Sequence, residues 1–290
     1  MMKTAFIIDS TAYLSGKTAQ HPDVYRVNLT VNFSDGSLGE DAQDLAAQHI
    51  FYERLKTEVS LPTTSQPTPA VYYEVMDDII AKGYEAVIAI HLSAGISGTY
   101  QTSHMALSEY ADRIKVFCLN TKAASVVMES LLEQAMDLLD AGLIPEVVFE
   151  KLQWVADNSH IYLMVEDLDN LVKGGRLNAT GALVGGLLKI RPVLFFDEEG
   201  KIVLFEKVRT NKKVYQRWIE IAKERQALFP DGIKISFAHS DALEEIQSVR
   251  ELFAKELPTI DYHISGLGPV VGAHTGAGSK GCAIIPIAKP

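Results

Sequence analysis

Cysteine is almost missing from this chain: Cys118 and Cys282 are the only two among 290 residues. Both sit in strand-like apolar sequence, which speaks against a disulfide framework and a thiolate zinc site and fits a reducing cytoplasm. Long apolar runs are missing too. None approaches the ~20 residues that a membrane helix needs. The opening Lys3-Thr4-Ala5-Phe6-Ile7-Ile8 is basic and then apolar, as in a signal peptide. Its apolar part is short and meets Asp9 and Ser10, so it reads as a buried strand. Basic charge is scarce: 27 Lys and Arg stand against 37 Asp and Glu, a net charge of −10. Such a surface repels nucleic acid and anionic lipid headgroups unless a local basic patch intervenes. Lys212-Lys213 and Lys173 with Arg176 are too short to make one, so no nucleic acid partner is expected. No Gly-x-Gly-x-x-Gly follows the first strand, no phosphate loop ends in Gly-Lys-Ser/Thr, and no His/Cys cluster has metal spacing. Gly95-Ile96-Ser97-Gly98 lacks the spacing of a nucleophile elbow. Cofactor and metal chemistry are therefore not expected.

The remaining composition is that of a folded protein. At 47% hydrophobic residues and about twice the ~150 residues of a typical domain, two domains are expected. Short β-branched runs alternate with amphipathic helical patterns, which argues for α/β architecture. Strands are expected at 4–8, 25–33, 86–92 and 114–119, and helices at 42–58, 69–82, 99–110 and 123–139. The run from 86 to 139 reads as a doubly wound parallel sheet, whose loops at strand C-terminal ends bind ligands. From about 160 the pattern changes. Strands at 161–165, 191–196 and 202–207 include a pair joined by Asp197-Glu198-Glu199-Gly200, which is hairpin spacing. Further strands at 234–238, 259–264 and 282–287, with helices near 211–228 and 242–256, indicate an α+β domain on a mixed or antiparallel sheet. The expected division is 1–158 and 159–290.

Four polar segments marked by glycine or proline could carry chemistry: Asp9-Ser10-Thr11, Thr63-Thr64-Ser65-Gln66-Pro67, Ser97-Gly98-Thr99-Tyr100, and Gly272-Ala273-His274-Thr275-Gly276. Ser97 stands where a helix begins, so its hydroxyl and the amides of Gly98 and Thr99 either cap that helix or receive an anion. His274, between glycines, is either a ligand-facing imidazole or a hydrogen-bonded structural residue. Arg176 follows Lys173-Gly174-Gly175 and either clamps a carboxylate or caps a helix C-terminus. The apolar, glycine-bearing stretch 182–188 reads as a buried helix or a tunnel wall.

At these residues the chain resembles the DegV family, fatty acid-binding proteins that serve a bacterial fatty acid kinase. The matching pieces are Asp9-Ser10-Thr11, Thr64-Ser65-Gln66-Pro67, Ser97-Gly98-Thr99-Tyr100-Gln101, Val172-Lys173-Gly174-Gly175-Arg176, and the run from Gly268-Pro269-Val270 to His274-Thr275-Gly276. Each is weak alone, but five in the family's order are specific. Ala94-Gly95 departs from the usual serine-leucine type, and Arg191-Pro192 stands where Lys-Pro is common. The resemblance implies a buried long-chain fatty acid at the domain junction, with phosphorylation of its carboxylate by the kinase feeding phospholipid synthesis. It implies that Thr64 and Ser97 hold the carboxylate with His274 nearby, and that Ser65, Gly98, Thr99 and Thr275 belong to the same niche. Arg176 would face the kinase. The segment 177–188 is the expected gate for ligand entry, with only transient membrane contact at this net charge. The rival reading is a serine-dependent acyl hydrolase or transferase with Ser97 as nucleophile, His274 as base and Asp9 as the orienting acid.

Overall fold

The computed structural model describes residues 2–177 and 190–290. Most of the segment 177–188, expected as the gate, lies outside the described residues. In chain order the elements begin with β1 (Thr4–Asp9), a single 3-10 turn (Ser10–Ala12), α1 (Gly16–Ala19), β2 (Val24–Val27), β3 (Thr30–Asn32) and β4 (Leu38–Glu40). They continue with α2 (Leu45–Leu55), β5 (Thr63–Ser65), α3 (Pro69–Ala81), β6 (Ala86–His91), α4 (Thr99–Ser108), β7 (Lys115–Asn120), α5 (Val126–Asp140) and α6 (Pro145–Asn158). The second half holds β8 (His160–Met164), α7 (Asp169–Lys173), β9 (Arg191–Phe196), β10 (Ile202–Val208), α8 (Asn211–Leu228), β11 (Ile233–His239), α9 (Leu243–Glu256), β12 (Asp261–Gly266), α10 (Pro269–Thr275) and β13 (Lys280–Pro286).

The first sheet has the order β2-β1-β6-β7 and is parallel throughout. Its central strands are apolar on both faces because both faces are covered. Ala5, Ile7, Val87 and Ala89 pack with residues of α3 and α4 such as Tyr72, Met76 and Leu107. Phe6, Ile8, Ile88 and Ile90, one residue out of phase, pack with Leu131, Leu132, Val148 and Leu152 of α5 and α6. The second sheet has the order β10-β9-β8-β13-β11-β12 and is antiparallel except for β11 and β12. Its outer face meets α8 and α9 around Trp218, Phe237 and Phe253. Its inner face, with Ile161, Leu163, Ala283 and Ile285, joins the same core as α5 and α6. The layers therefore run helix, sheet, helix, sheet, helix. The chain passes from the first sheet to the second between Asn158 and His160, but the apolar core does not divide there.

A third, small sheet of order β4-β3-β5 was not anticipated. The run 25–33, expected as one strand, breaks at Asn28-Leu29: β2 stays in the parallel sheet, while β3 leaves for the small one. Leu29 donates its amide to Ser10 Oγ at 3.1 Å, which holds the break in place. The proline-rich stretch 61–69 has too much proline to read as either helix or strand from its sequence. It contains β5 because Pro62 and Pro67 flank the strand instead of interrupting it, and β5 is an edge strand. This sheet packs with α2 and α10 through Leu29, Val31, Phe33, Phe51, Tyr52, Val270 and Ala273. Helix α6, opened by Pro145 at its first turn, is also absent from the sequence reading.

Candidate functional site

Asp9 closes β1 wholly buried, accepting from Thr11 Oγ1 at 2.6 Å, Thr11 N at 3.1 Å and Leu92 N at 2.9 Å. His91 Nδ1 lies 3.2 Å from Asp9 Oδ2, the oxygen that also accepts from Leu92 N, and His91 Nε2 lies 2.7 Å from Ser103 Oγ. All three residues of this Ser-His-Asp chain are fully buried, so the chain ties β1, β6 and α4 together out of reach of any substrate. Asp9 is therefore committed to His91 and does not orient His274. His274 Nε2 bonds Thr64, while Ser97 Oγ bonds Thr99, so the rival triad is not assembled.

Ser10 belongs to a second buried framework. It donates to Asp41 Oδ2 at 2.8 Å, and Tyr13 OH donates to Asp41 Oδ1 at 3.2 Å. Asp41 Oδ1 also accepts from Val270 N at 3.0 Å, and Tyr13 OH accepts from Val271 N at 3.3 Å. Together they fix the first turn of α10. Burial pushes the Asp41 carboxyl up to about 7.

Helix α10 presents Val270, Val271, His274 and Thr275 to a cavity between the two large sheets. The cavity holds about 870 Å³ of space free of protein atoms, part of it open to solvent. Its described wall is mostly apolar, with Leu29, Leu92, Ile96, Val126, Ile161, Leu163, Leu171, Phe196, Ile202 and Leu267. Its polar groups are Thr64, Ser97, Ser125, Arg176, His274, Thr275, Ser279 and Lys280.

The central polar pair is Thr64 and His274, with Oγ1 and Nε2 2.8 Å apart. Burial, and then the nearby Arg176 charge, lower the His274 pKa to about 4, so the imidazole is neutral near pH 7. It then offers one donor and one acceptor. Helix α7 delivers Gly174 beside it, and a Cβ at Gly174 would stand 2.5 Å from His274 Nδ1. Only glycine leaves room for the ring. Arg176, half-buried, donates through Nε to Ile96 O at 3.1 Å and through an η nitrogen to Gly174 O at 2.6 Å. A second recess of about 450 Å³ is lined by Leu61, Pro62, Asn170, Lys173 and Gly174, and it shares Thr64, Arg176 and His274 with the apolar cavity. Those three side chains form the partition between the two spaces.

The other residues singled out from sequence are placed differently. Ser97 lines the cavity, but Gly98 is the N-cap of α4, so Ser97 sits one residue before it, 2.8 Å from Thr99 Oγ1. Thr99 is buried and held by that bond. Gly98 packs against the Gln66 side chain. Ser65 points away from Thr64 by strand alternation and accepts from Asn32 Nδ2 at 2.9 Å on the exposed side. Neither Ser65, Gly98 nor Thr99 lines the cavity. Thr275 does, while donating to Val271 O at 3.1 Å. The sequence reading missed Asp41, Ser125 and Lys280. Lys280 is a buried strand lysine whose Nζ lies 2.7 Å from Glu245 Oε2 and donates to Gly278 O at 2.7 Å.

A family model described as "Uncharacterised protein, DegV family" matches residues 3–287. A DegV domain-containing protein of Halalkalibacterium halodurans is 37% identical over 97% of this chain and 98% of its own length. One from Streptococcus pneumoniae is 34% identical over 99% of this chain and 100% of its own. Among solved structures, the fatty acid binding DegV family protein of Streptococcus agalactiae superposes with a TM-score of 0.90 at 34% identity, covering 99% of each chain. DegV of Bacillus subtilis, described as a fatty acid binding protein, superposes at 0.86 with 32% identity, covering 98% of this chain and 99% of that one. The polar pair at the cavity, the two stacked sheets and these matches lead to one assignment: the chain belongs to the DegV family.

Proposed function

We propose that this protein binds a long-chain fatty acid in the inter-sheet cavity, with the tail among the apolar side chains and the carboxylate at Thr64, Ser97 and His274. The observation that carries the reading is a largely apolar cavity whose polar pair stands at the partition with a second recess. The physics suits a carrier. A C16 chain buries about fifteen carbon groups at ~0.8 kcal/mol each, about 12 kcal/mol gross. Hydrogen bonds to neutral hydroxyls and imidazole contribute only ~1 kcal/mol each. The tail supplies affinity and the niche sets position.

We propose further that the second recess is where a fatty acid kinase reaches the carboxylate to form the acyl phosphate, which then serves phospholipid synthesis. Arg176 would meet the partner there, since it borders both spaces. Mass spectrometry of an organic extract of the purified protein tests the first step. Near-stoichiometric long-chain fatty acid is expected. An extract with no acyl species, combined with failure of added fatty acid to bind, removes the reading.

A further inference from the structure

Helix α5 begins at the cavity on a serine in a conformation that serines avoid. Ser125, its N-cap, has φ 55° and ψ −125°. That backbone region is open to glycine and closed to most other residues. A residue held there needs its surroundings to impose it, and such residues gather at ligand sites. Ser125 is 4% exposed and lines the cavity, and among the described residues its Oγ has no hydrogen-bond partner. An N-cap serine ordinarily spends its hydroxyl on the helix amides, but this one makes no capping bond. Leaving a buried hydroxyl unpaired is unfavourable. The backbone points the same way. The amide of Val127 turns back to Ala124 O at 3.4 Å and that of Met128 to Ser125 O at 2.8 Å. Among the described residues no acceptor stands on the amide of Val126, which also lines the cavity. Helix α5 is 15 residues long, so its first turn carries the full positive end of the helix dipole.

The kind of group that fits is narrowed by Glu129, in that same first turn and buried. Its Oε1 accepts from Ser15 N and Oγ, each at 2.7 Å, and its Oε2 lies 2.9 Å from His263 Nε2. A carboxylate paired with His263 thus already offsets part of this helix end's positive potential, which leaves the Ser125 hydroxyl and the free amide better matched to a neutral acceptor oxygen than to a second full anion. A serine with positive φ at a strand-to-helix turn is also the setting of hydrolase nucleophiles. Among the described residues no imidazole stands against Oγ, so no base is in place.

We infer that Ser125 and the first turn of α5 form a second hydrogen-bonding point in the acyl cavity, and that it takes the neutral oxygen of an oxygenated long-chain fatty acid, a hydroxyl or keto group on the chain. The inference rests on the fatty acid reading above and names the ligand class of that site. It is tested by competition binding of stearic acid and a series of monohydroxy and monoketo stearic acids, the substituent moved along the chain, against wild type, Ser125→Ala and Ser125→Gly. One or two adjacent substituent positions should bind wild type about fivefold more tightly than stearic acid, the size of one hydrogen bond. Both variants should lose that preference while binding stearic acid at least as tightly. Ser125→Gly also relieves the backbone, so it serves if Ser125→Ala folds poorly. A wild type with no favoured position overturns the proposal, as do variants that keep the preference. Equal weakening of stearic and oxygenated acids in both variants overturns it too, since Ser125 would then hold the carboxylate. Failure of stearic acid itself to bind wild type removes the fatty acid reading, and this one with it.

Discussion

Replacing Asp41 by asparagine should change how stability depends on pH. Asp41 is buried among Ser10, Tyr13 and the first turn of α10, and its carboxyl is raised from 3.8 to about 7. A carboxyl whose folded value lies above its unfolded one favours folding most when protonated. That advantage is complete below about pH 4 and is lost as pH rises through 7. With values of 3.8 and about 7, ionisation of Asp41 costs the folded state roughly 2.5 kcal/mol more at pH 8 than at pH 5. Asp41→Asn cannot ionise. It should lose stability at pH 5, where it replaces a protonated acid of the same shape with an amide whose donors face Ser10 or Val270. Relative to wild type it should then recover by roughly 2.5 kcal/mol by pH 8. Urea unfolding of both proteins at the two pH values gives the difference, in which the titrations common to both cancel. A stability difference independent of pH would falsify the buried, raised carboxyl.

The other predictions concern the niche. Gly174→Ala should displace the His274 ring and press on the Asn170 carbonyl, because its Cβ would meet Nδ1 at 2.5 Å and Asn170 O at 2.8 Å; calorimetry should show weaker fatty acid binding, and urea unfolding a loss of stability. Thr64→Ala should weaken carboxylate positioning by about 1 kcal/mol, reducing acyl-phosphate formation in a coupled kinase assay more than it reduces binding of the acid. Full turnover with this variant would remove Thr64 from the niche. Arg176→Ala should retain co-purifying lipid and lose kinase coupling, whereas an empty cavity would place Arg176 in the ligand site.

The sheet strands were legible where their faces are both covered. The unbroken apolar run of β6 announces a buried parallel strand, and the Asp197 to Gly200 turn announces the β9–β10 hairpin. The small sheet was not legible, because β3 and β5 are three residues each, too short for a period of two to register. Thr64 and His274 were found through their motifs, but their contact across 210 positions depends on β5 and α10 packing on one small core. Asp41 looks like an acid in an exposed loop, and only the arrival of α10 buries it. Nothing in Ala123-Ala124-Ser125 signals a positive φ, since serine carries no mark of that conformation as glycine does.

A crystal structure with a fatty acid brominated near its methyl end tests the central claim most directly. The account predicts an anomalous peak buried between the two large sheets, among apolar side chains of the cavity wall such as Ile161 and Leu163. It also predicts a carboxylate oxygen within hydrogen-bond distance of Thr64 or His274. A bromine on the protein surface, or a carboxylate seated away from both residues, would contradict it.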